Sequence, residues 1–229
     1  MKVIAVMPAY KEETRIVAAI SGIKPLVDQL VVVDDGSGDA TADRAAETGV
    51  VVLRHWLNRG QGAALRTGTE AALKLGADII VDVDADGQND PEGLPSLLAP
   101  IKAGEADVVF GSRFLGMKSD SMPMARRLLL LAAKRFNTFA LGIPGRVTDP
   151  QSGLRAMTAE AARQIDFRQD RMAHCSEILR LVTHSGLRWK EIPIRVFYTE
   201  ETLAKGQNGL PPTLAAFKIV WELFIGAFS

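Results

Sequence analysis

Short runs of apolar residues punctuate the first half of the chain: VIAVM (3–7), LVVVDD (30–35), ADIIVDVD (77–84) and ADVVFGS (106–112). Each run is nearly continuous rather than alternating, which is how strands covered on both faces of a parallel sheet read. Between them, apolar residues recur at helical spacing over about 12–28, 39–48, 61–76 and 91–103. This alternation predicts an α/β fold with a mostly parallel central sheet and helices on both faces. Pro91 suits a first helical turn after Asn89-Asp90, and Asp39 or Thr41 can cap the helix that follows the second strand.

After residue 113 the rhythm changes. A long helical pattern over 123–141 carries Arg126, Arg127, Lys134 and Arg135, a stripe that suits either a solvated face or an anionic partner. A loop rich in Gly, Pro and Asp (142–153) precedes a short strand near 154–158, a helix near 173–185 and a strand over 188–197. The segment 213–228 is strongly apolar, with Leu214, Phe217, Trp221, Phe224 and Phe228 at helical spacing. It is shorter than the roughly 20 apolar residues that cross a bilayer. It is expected to form an apolar C-terminal helix that docks on the protein, on a second subunit, or in a membrane interface.

Composition narrows the class. The chain has 229 residues, which favours one domain. Lys plus Arg and Asp plus Glu are both 27, so no net positive field draws nucleic acid. Cys175 is the lone cysteine, which rules out an internal disulfide and fits a reducing cytoplasm. The start, MKVIAVMPAYKEE, reads as a first strand rather than a secretory leader. A cytoplasmic location is expected, with attachment at the cytoplasmic face of the membrane as an option.

Candidate chemistry concentrates at the strand ends: MPAYKEE, VDDGSGDAT, VDADGQND and GSRF. In open α/β sheets ligands bind beyond those carboxyl ends. No G-x-G-x-x-G follows the first strand, and G-x-x-x-x-G-K-[ST] is absent. The third end, VDVDADGQND, packs Asp82, Asp84, Asp86 and Asp90 together. Carboxylates this close raise each other's pKa unless a cation neutralises them. Oxygen donors beside Gln88 suit a hard divalent ion, Mg²⁺ or Mn²⁺. An EF-hand is excluded, because the twelfth position from Asp82 is Gly93 rather than Glu. His55, His174 and His184 are too scattered for zinc. Glu177, at the edge of a helical face, reads more simply as solvated or ion-paired than as catalytic.

The ordered set PAYKEE (8–13), VVVDDGSGDAT (31–41), NRGQGAALRTG (58–68), DADGQNDP (84–91), GSRF (111–114), TDPQSGLRAM (148–157) and EIPIRVFY (191–198) resembles the family 2 inverting glycosyltransferases. Within them it is most similar to the polyprenyl-phosphate (dolichyl-phosphate) mannose and glucose synthases. The resemblance implies a GT-A-type nucleotide-sugar-binding fold. It places Pro8, Tyr10 and Glu12 along the base and ribose of a nucleoside diphosphate sugar, with Val33 and Asp35 closing on the base. Asp84, Ala85 and Asp86 form the family's Asp-x-Asp signature. There Asp86 and Gln88 would hold the metal, and Asp84 would reach ribose or metal. Arg113 would meet phosphate, Asp149 would lie beside the transferred sugar, and Lys205 would approach the donor. Asp86, Asp149 and Arg113 are thereby the expected catalytic residues.

Arg113 and Arg127 are the expected contacts to an acceptor phosphate. Four residues after Arg127, relatives tend to carry Ser; this chain has Leu131. The implied organisation is a single domain over 1–229: a nucleotide-sugar and metal-binding half (1–113), an acceptor-side half (114–210) and the apolar C-terminal helix (211–229). The implied activity is metal-dependent, inverting transfer of a hexose from a GDP- or UDP-linked donor to a polyprenyl phosphate. The alternatives are transfer to a saccharide hydroxyl with Asp149 as general base, and a sugar nucleotidyltransferase, whose Gly-rich loop after the first strand is missing here.

Overall fold

The computed structural model describes residues 1–115 and 142–197, with Arg135 and Thr138 described singly between them. Among these described residues, the sheet has seven strands in the order β3-β2-β1-β4-β6-β5-β7. These are β1 (Val3–Ala9), β2 (Gln29–Asp34), β3 (Val51–Arg54), β4 (Ile79–Asp82), β5 (Val108–Ser112), β6 (Arg155–Thr158) and β7 (Trp189–Pro193). All neighbours pair in parallel except β6, which runs antiparallel between β4 and β5. The fold is thus the predicted mostly parallel α/β arrangement. β3 departs from the sequence expectation. Its VVLR is only partly buried at the sheet edge, so it carries no continuous apolar signal.

The helices are α1 (Ile16–Ile23), α2 (Thr41–Glu47), α3 (Gln61–Lys74), α4 (Leu94–Lys102), α5 (Ala159–Gln164) and α6 (His174–His184). α1 is shorter than its periodic pattern because the chain tightens into a 3-10 turn over Lys24–Leu26. Pro25 in that turn has no N–H with which to continue the helical ladder. The helix after β2 starts differently from the expectation: its N-cap residue is Ala40, with no side-chain cap, and Asp39 Oδ1 one residue earlier accepts from Thr41 N at 3.0 Å. Asp90 Oδ1 accepts from Glu92 N at 3.1 Å, with Pro91 in the first turn of the 3-10 segment Pro91–Gly93.

Strand residues divide between two cores. Val3, Ala5 and Met7 of β1 face Ile16 and Ile20 of α1 and Leu94 and Leu97 of α4. Ile4 and Val6 face Leu65 of α3 and Ile178 and Leu179 of α6 on the other side. Each fully buried aliphatic side chain contributes about 1.5–3 kcal/mol relative to exposure. That two-sided burial explains the unbroken apolar strands. Gly68 lets α3 lie directly on β1, since a Cβ there would overlap the Val6 side chain.

One polar layer interrupts the second core. Asp82 and Arg155 oppose each other across the β4–β6 ladder, and Arg155 Nε donates to Asp82 Oδ2 at 2.5 Å. His174 is buried beside them, with a pKa pushed down to about 4 by burial and then by the Arg155 charge. It is neutral at physiological pH, and its Nδ1 sits 2.7 Å from Arg171 O. Cys175 is a free, buried thiol, as its helical position suggests.

Among the described residues, no helix is long and apolar enough to cross a membrane. The expected helix over 123–141 (Arg135 and Thr138 apart) and the apolar C-terminal helix lie outside them, as do Arg126, Arg127, Leu131, Lys134 and Lys205.

Candidate active site

The carboxyl ends of β1, β2, β4 and β5 open into one cleft of about 450 Å³. Of the residues expected there, Pro8, Tyr10, Glu12, Asp35, Asp84, Ala85, Asp86, Gln88 and Arg113 line it. Val33 does not. It lies in β2 at zero exposure, its side chain turned into the core toward Gly68. With strand side chains alternating between faces, residue 33 is committed to packing.

Asp35 lines the cleft, yet its carboxylate already serves the protein. Its Oδ1 accepts from Arg59 N at 3.0 Å and lies 2.7 Å from His55 Nδ1, while Oδ2 accepts from Gly60 N at 2.6 Å. It therefore anchors the loop that opens α3, a duty that the expected base contact did not include. Gly60 sits at φ +113°, a conformation that other residues rarely adopt.

From the first turn of α3, Gln61 Nε2 donates to Asp84 Oδ1 at 2.9 Å, and Asn89 Nδ2 lies 3.4 Å from Asp84 Oδ2. Gly153 backs the same carboxylate; a Cβ there would stand 2.7 Å from Asp84 Oδ2. Gln61, Asn89 and Gly153 were not singled out by sequence reasoning. The Gly-Gln-Gly at a helix start was the available signal.

Asp86 has a different environment. Its Oδ1 accepts from Gln88 N at 2.9 Å, and its other oxygen takes no hydrogen bond among the described residues. Burial, then the neighbouring charge of Asp84, pushes its pKa up to about 6. Two close carboxylates that amides, and no cation among the described residues, hydrogen-bond suit a divalent ion chemically. No group of three or more His, Cys, Asp or Glu among the described residues could hold one unaided. The donor set fits an ion that draws its remaining ligands from a bound diphosphate.

Across the cleft, Arg113 and Asp149 form a fork. Arg113 Nε and Nη2 reach Asp149 Oδ2 and Oδ1 at 2.6 and 2.7 Å, and Arg113 N donates to Oδ2 at 3.1 Å. The Asp149 side chain is fully buried and the Arg113 side chain is 10% exposed at the cleft wall. Asp149 itself does not line the cleft, so its expected place beside the sugar becomes a place behind Arg113.

Glu177 lies away from the chemistry. Its carboxylate accepts from Arg168 N at 3.0 Å and Gln169 N at 2.8 Å, bracing the loop whose Met172 forms another wall. That loop docks on α3, where Asp170 O accepts from Gly62 N at 2.7 Å and the Asp170 carboxylate pairs with Arg66.

Residues 4–164 match the family model described as Glycosyl transferase family 2. The chain is 38% identical over 98% of its length to an uncharacterised protein of Methanocaldococcus jannaschii, covering 91% of that protein. It is 34% identical to the UDP-N-acetylglucosamine--dolichyl-phosphate N-acetylglucosaminyltransferase of Methanococcus voltae, covering 96% of this chain and 94% of that one. Among solved structures, glucosyl-3-phosphoglycerate synthase from Mycobacterium tuberculosis superposes with a TM-score of 0.71 at 21% identity, covering 99% of this chain and 78% of that one. Its complex with Mn²⁺, UDP-glucose and phosphoglyceric acid gives a TM-score of 0.65 at 26% identity, over 99% of this chain and 79% of that one.

Proposed function

Because the chain belongs to glycosyl transferase family 2, we propose that it transfers a hexose from a nucleoside diphosphate sugar to a polyprenyl phosphate, inverting the anomeric centre. The Methanococcus voltae relative, whose name pairs a UDP-sugar donor with dolichyl phosphate, supports this class of donor and acceptor.

The donor occupies the side of the cleft built from β1, β2 and β4. Tyr10 and Glu12 flank the nucleoside, and the diphosphate lies toward Asp84 and Asp86. Asp84, Asp86 and Gln88 hold Mg²⁺ or Mn²⁺. The Mn²⁺ in the complex of the Mycobacterium tuberculosis enzyme supports a divalent ion here. When bound, the ion neutralises charge on the diphosphate leaving group. Gln61, Asn89 and Gly153 fix the Asp84 carboxylate, so that this rim needs little reorganisation as charge develops.

The choice of acceptor rests on one observation: Asp149 is buried and held in a two-pronged pair by Arg113. A saccharide hydroxyl needs a base, and a carboxylate spent on a guanidinium behind the cleft wall is a poor one. A phosphate monoester has a second pKa near 6 and is already an ionised nucleophile at neutral pH. It needs a cation to orient it, and Arg113 faces the cleft for that purpose. Arg127 is the second cation in this reading, and Lys205 adds a contact to the donor phosphates.

The test is to incubate the protein with labelled nucleotide sugars, Mn²⁺ or Mg²⁺, and a short polyprenyl phosphate. Label should pass into an organic-extractable, acid-labile product. Label passing solely into a water-soluble saccharide overturns the proposal.

A further inference from the structure

Glu191 lies in β7, more than forty residues along the chain from the loop that it serves. Its Oε1 accepts from Thr148 Oγ1 at 3.0 Å and from Asp149 N at 3.1 Å, and its Oε2 accepts from Thr148 N at 2.9 Å. Thr148 Oγ1 is also 2.6 Å from Ser112 Oγ, at the end of β5. One carboxylate thus gathers the backbone and hydroxyl of the residues that present Asp149 to Arg113. Hydrogen bonds to an ionised acceptor are about twice as strong as neutral ones.

The chain that continues from β7 runs from this rim to the opposite one. Ile194 N donates to Ser112 O at 3.0 Å, Phe197 N donates to Gln88 O at 2.8 Å, and Asp90 N donates to Arg195 O at 3.3 Å. Val196 bridges Asn89 in antiparallel fashion, and Ile194 and Val196 line the cleft. A single stretch, 191–197, therefore touches both the carboxylate loop at 88–90 and the Thr148–Asp149 loop.

We infer that Glu191 is a positioning residue. Through Thr148 and Asp149 it sets the place of the Arg113 guanidinium relative to the Asp84–Asp86 rim, and so the approach of the acceptor to the donor. This rests on the proposed role of Arg113 toward the acceptor phosphate. Glutamine is a poor substitute, because its amide N–H₂ would face the backbone donors of Thr148 and Asp149.

Three variants test it: Glu191→Gln, Glu191→Asp and Thr148→Val. For each, UDP affinity with Mn²⁺, steady-state transfer to a polyprenyl phosphate and amide exchange of the peptide containing residues 148–149 are measured. Glu191→Gln should keep its UDP affinity and the exchange protection of the 84–90 loop. It should speed exchange at 148–149 and lower kcat/KM for the acceptor by roughly 10- to 100-fold, the scale of an ångström-class misplacement. Glu191→Asp should recover part of that loss, and Thr148→Val should fall between. Unchanged exchange at 148–149 in Glu191→Gln, or unchanged acceptor kcat/KM alongside faster exchange, overturns the inference. So does a parallel loss of UDP affinity and transfer. A wild-type protein that ignores polyprenyl phosphate sinks the functional reading instead, and the exchange comparison still decides for or against Glu191.

Discussion

Asp86 on one rim of the cleft and Asp149 on the other are both carboxylates presented near strand ends, and their surroundings differ. Asp86 accepts a backbone N–H and lies beside Asp84, and its pKa is pushed up to about 6. Asp149 is fully buried and receives three donors from Arg113 alone. Among the described residues, amide groups alone hydrogen-bond the carboxylates of the first rim, whereas the second carries Arg113 bonded to Asp149. The contrast matches the two demands of the proposed reaction. A leaving diphosphate requires an added cation, whereas an ionised phosphate nucleophile requires a fixed guanidinium.

Removing Arg113 should have the largest effect. In Arg113→Ala the buried Asp149 loses its counter-ion, and breaking such a pair from one side costs about 3–5 kcal/mol. Denaturant unfolding should report that loss along with failed transfer. Stability equal to the wild type would mean that the second rim is not neutralised as described.

Asp86→Ala should act on the first rim alone. Transfer should drop by roughly 10²–10³-fold, as when a preorganised electrostatic group is deleted. The metal-free variant should melt no lower than the wild type, because the lost carboxylate was poorly placed without its cation. Retained transfer would remove Asp86 from the proposed metal site.

The pH dependence of metal binding sharpens the same contrast. With the Asp86 pKa near 6, a proton competes with the ion below that pH. Mn²⁺ affinity should fall by up to about tenfold per pH unit beneath 6, with proton release on binding seen by calorimetry. The stability sign also follows. Between about pH 4 and 6 the native state keeps a proton that the unfolded chain has lost, so this group's contribution to metal-free stability declines as pH rises through that window. Added Mn²⁺ should restore stability above it. A pH-independent Mn²⁺ affinity would contradict the assignment.

A smaller effect is expected at Gly153→Ala, whose new Cβ would press on Asp84 Oδ2 from 2.7 Å. Weaker Mn²⁺ binding with an intact Arg113–Asp149 pair is the predicted outcome, read by calorimetry beside unchanged denaturant stability.

The two regions also differed in how far they could be read in advance. Strands such as Val3–Ala9 and Ile79–Asp82 announced themselves because burial on both faces leaves an unbroken apolar run. Their ends then gathered Tyr10, Glu12, Asp84 and Asp86 by topology alone. β3 was missed because a half-exposed edge strand has no such run. The second rim depends on Glu191 meeting Thr148 and on Arg113 meeting Asp149, contacts between residues 43 and 36 positions apart. No local spacing encodes these. Asp35 shows the same limit: its position at a strand end was legible, but its bonds to Arg59 and Gly60 were not.

The central claim is that the acceptor arrives already ionised and that no protein base activates it. It is tested most directly by the pH profile of kcat/KM for the acceptor, measured with Mn²⁺ and donor saturating at every pH so that proton competition at Asp86 does not shape the limb, once with a polyprenyl phosphate and once with the matching phosphonate, whose second pKa is higher. The account predicts that the rising limb follows the acceptor, near pH 6 for the phosphate and shifted upward for the phosphonate. A limb that stays in place when the acceptor is changed would mean that a group on the protein is titrating as the base, and would contradict it.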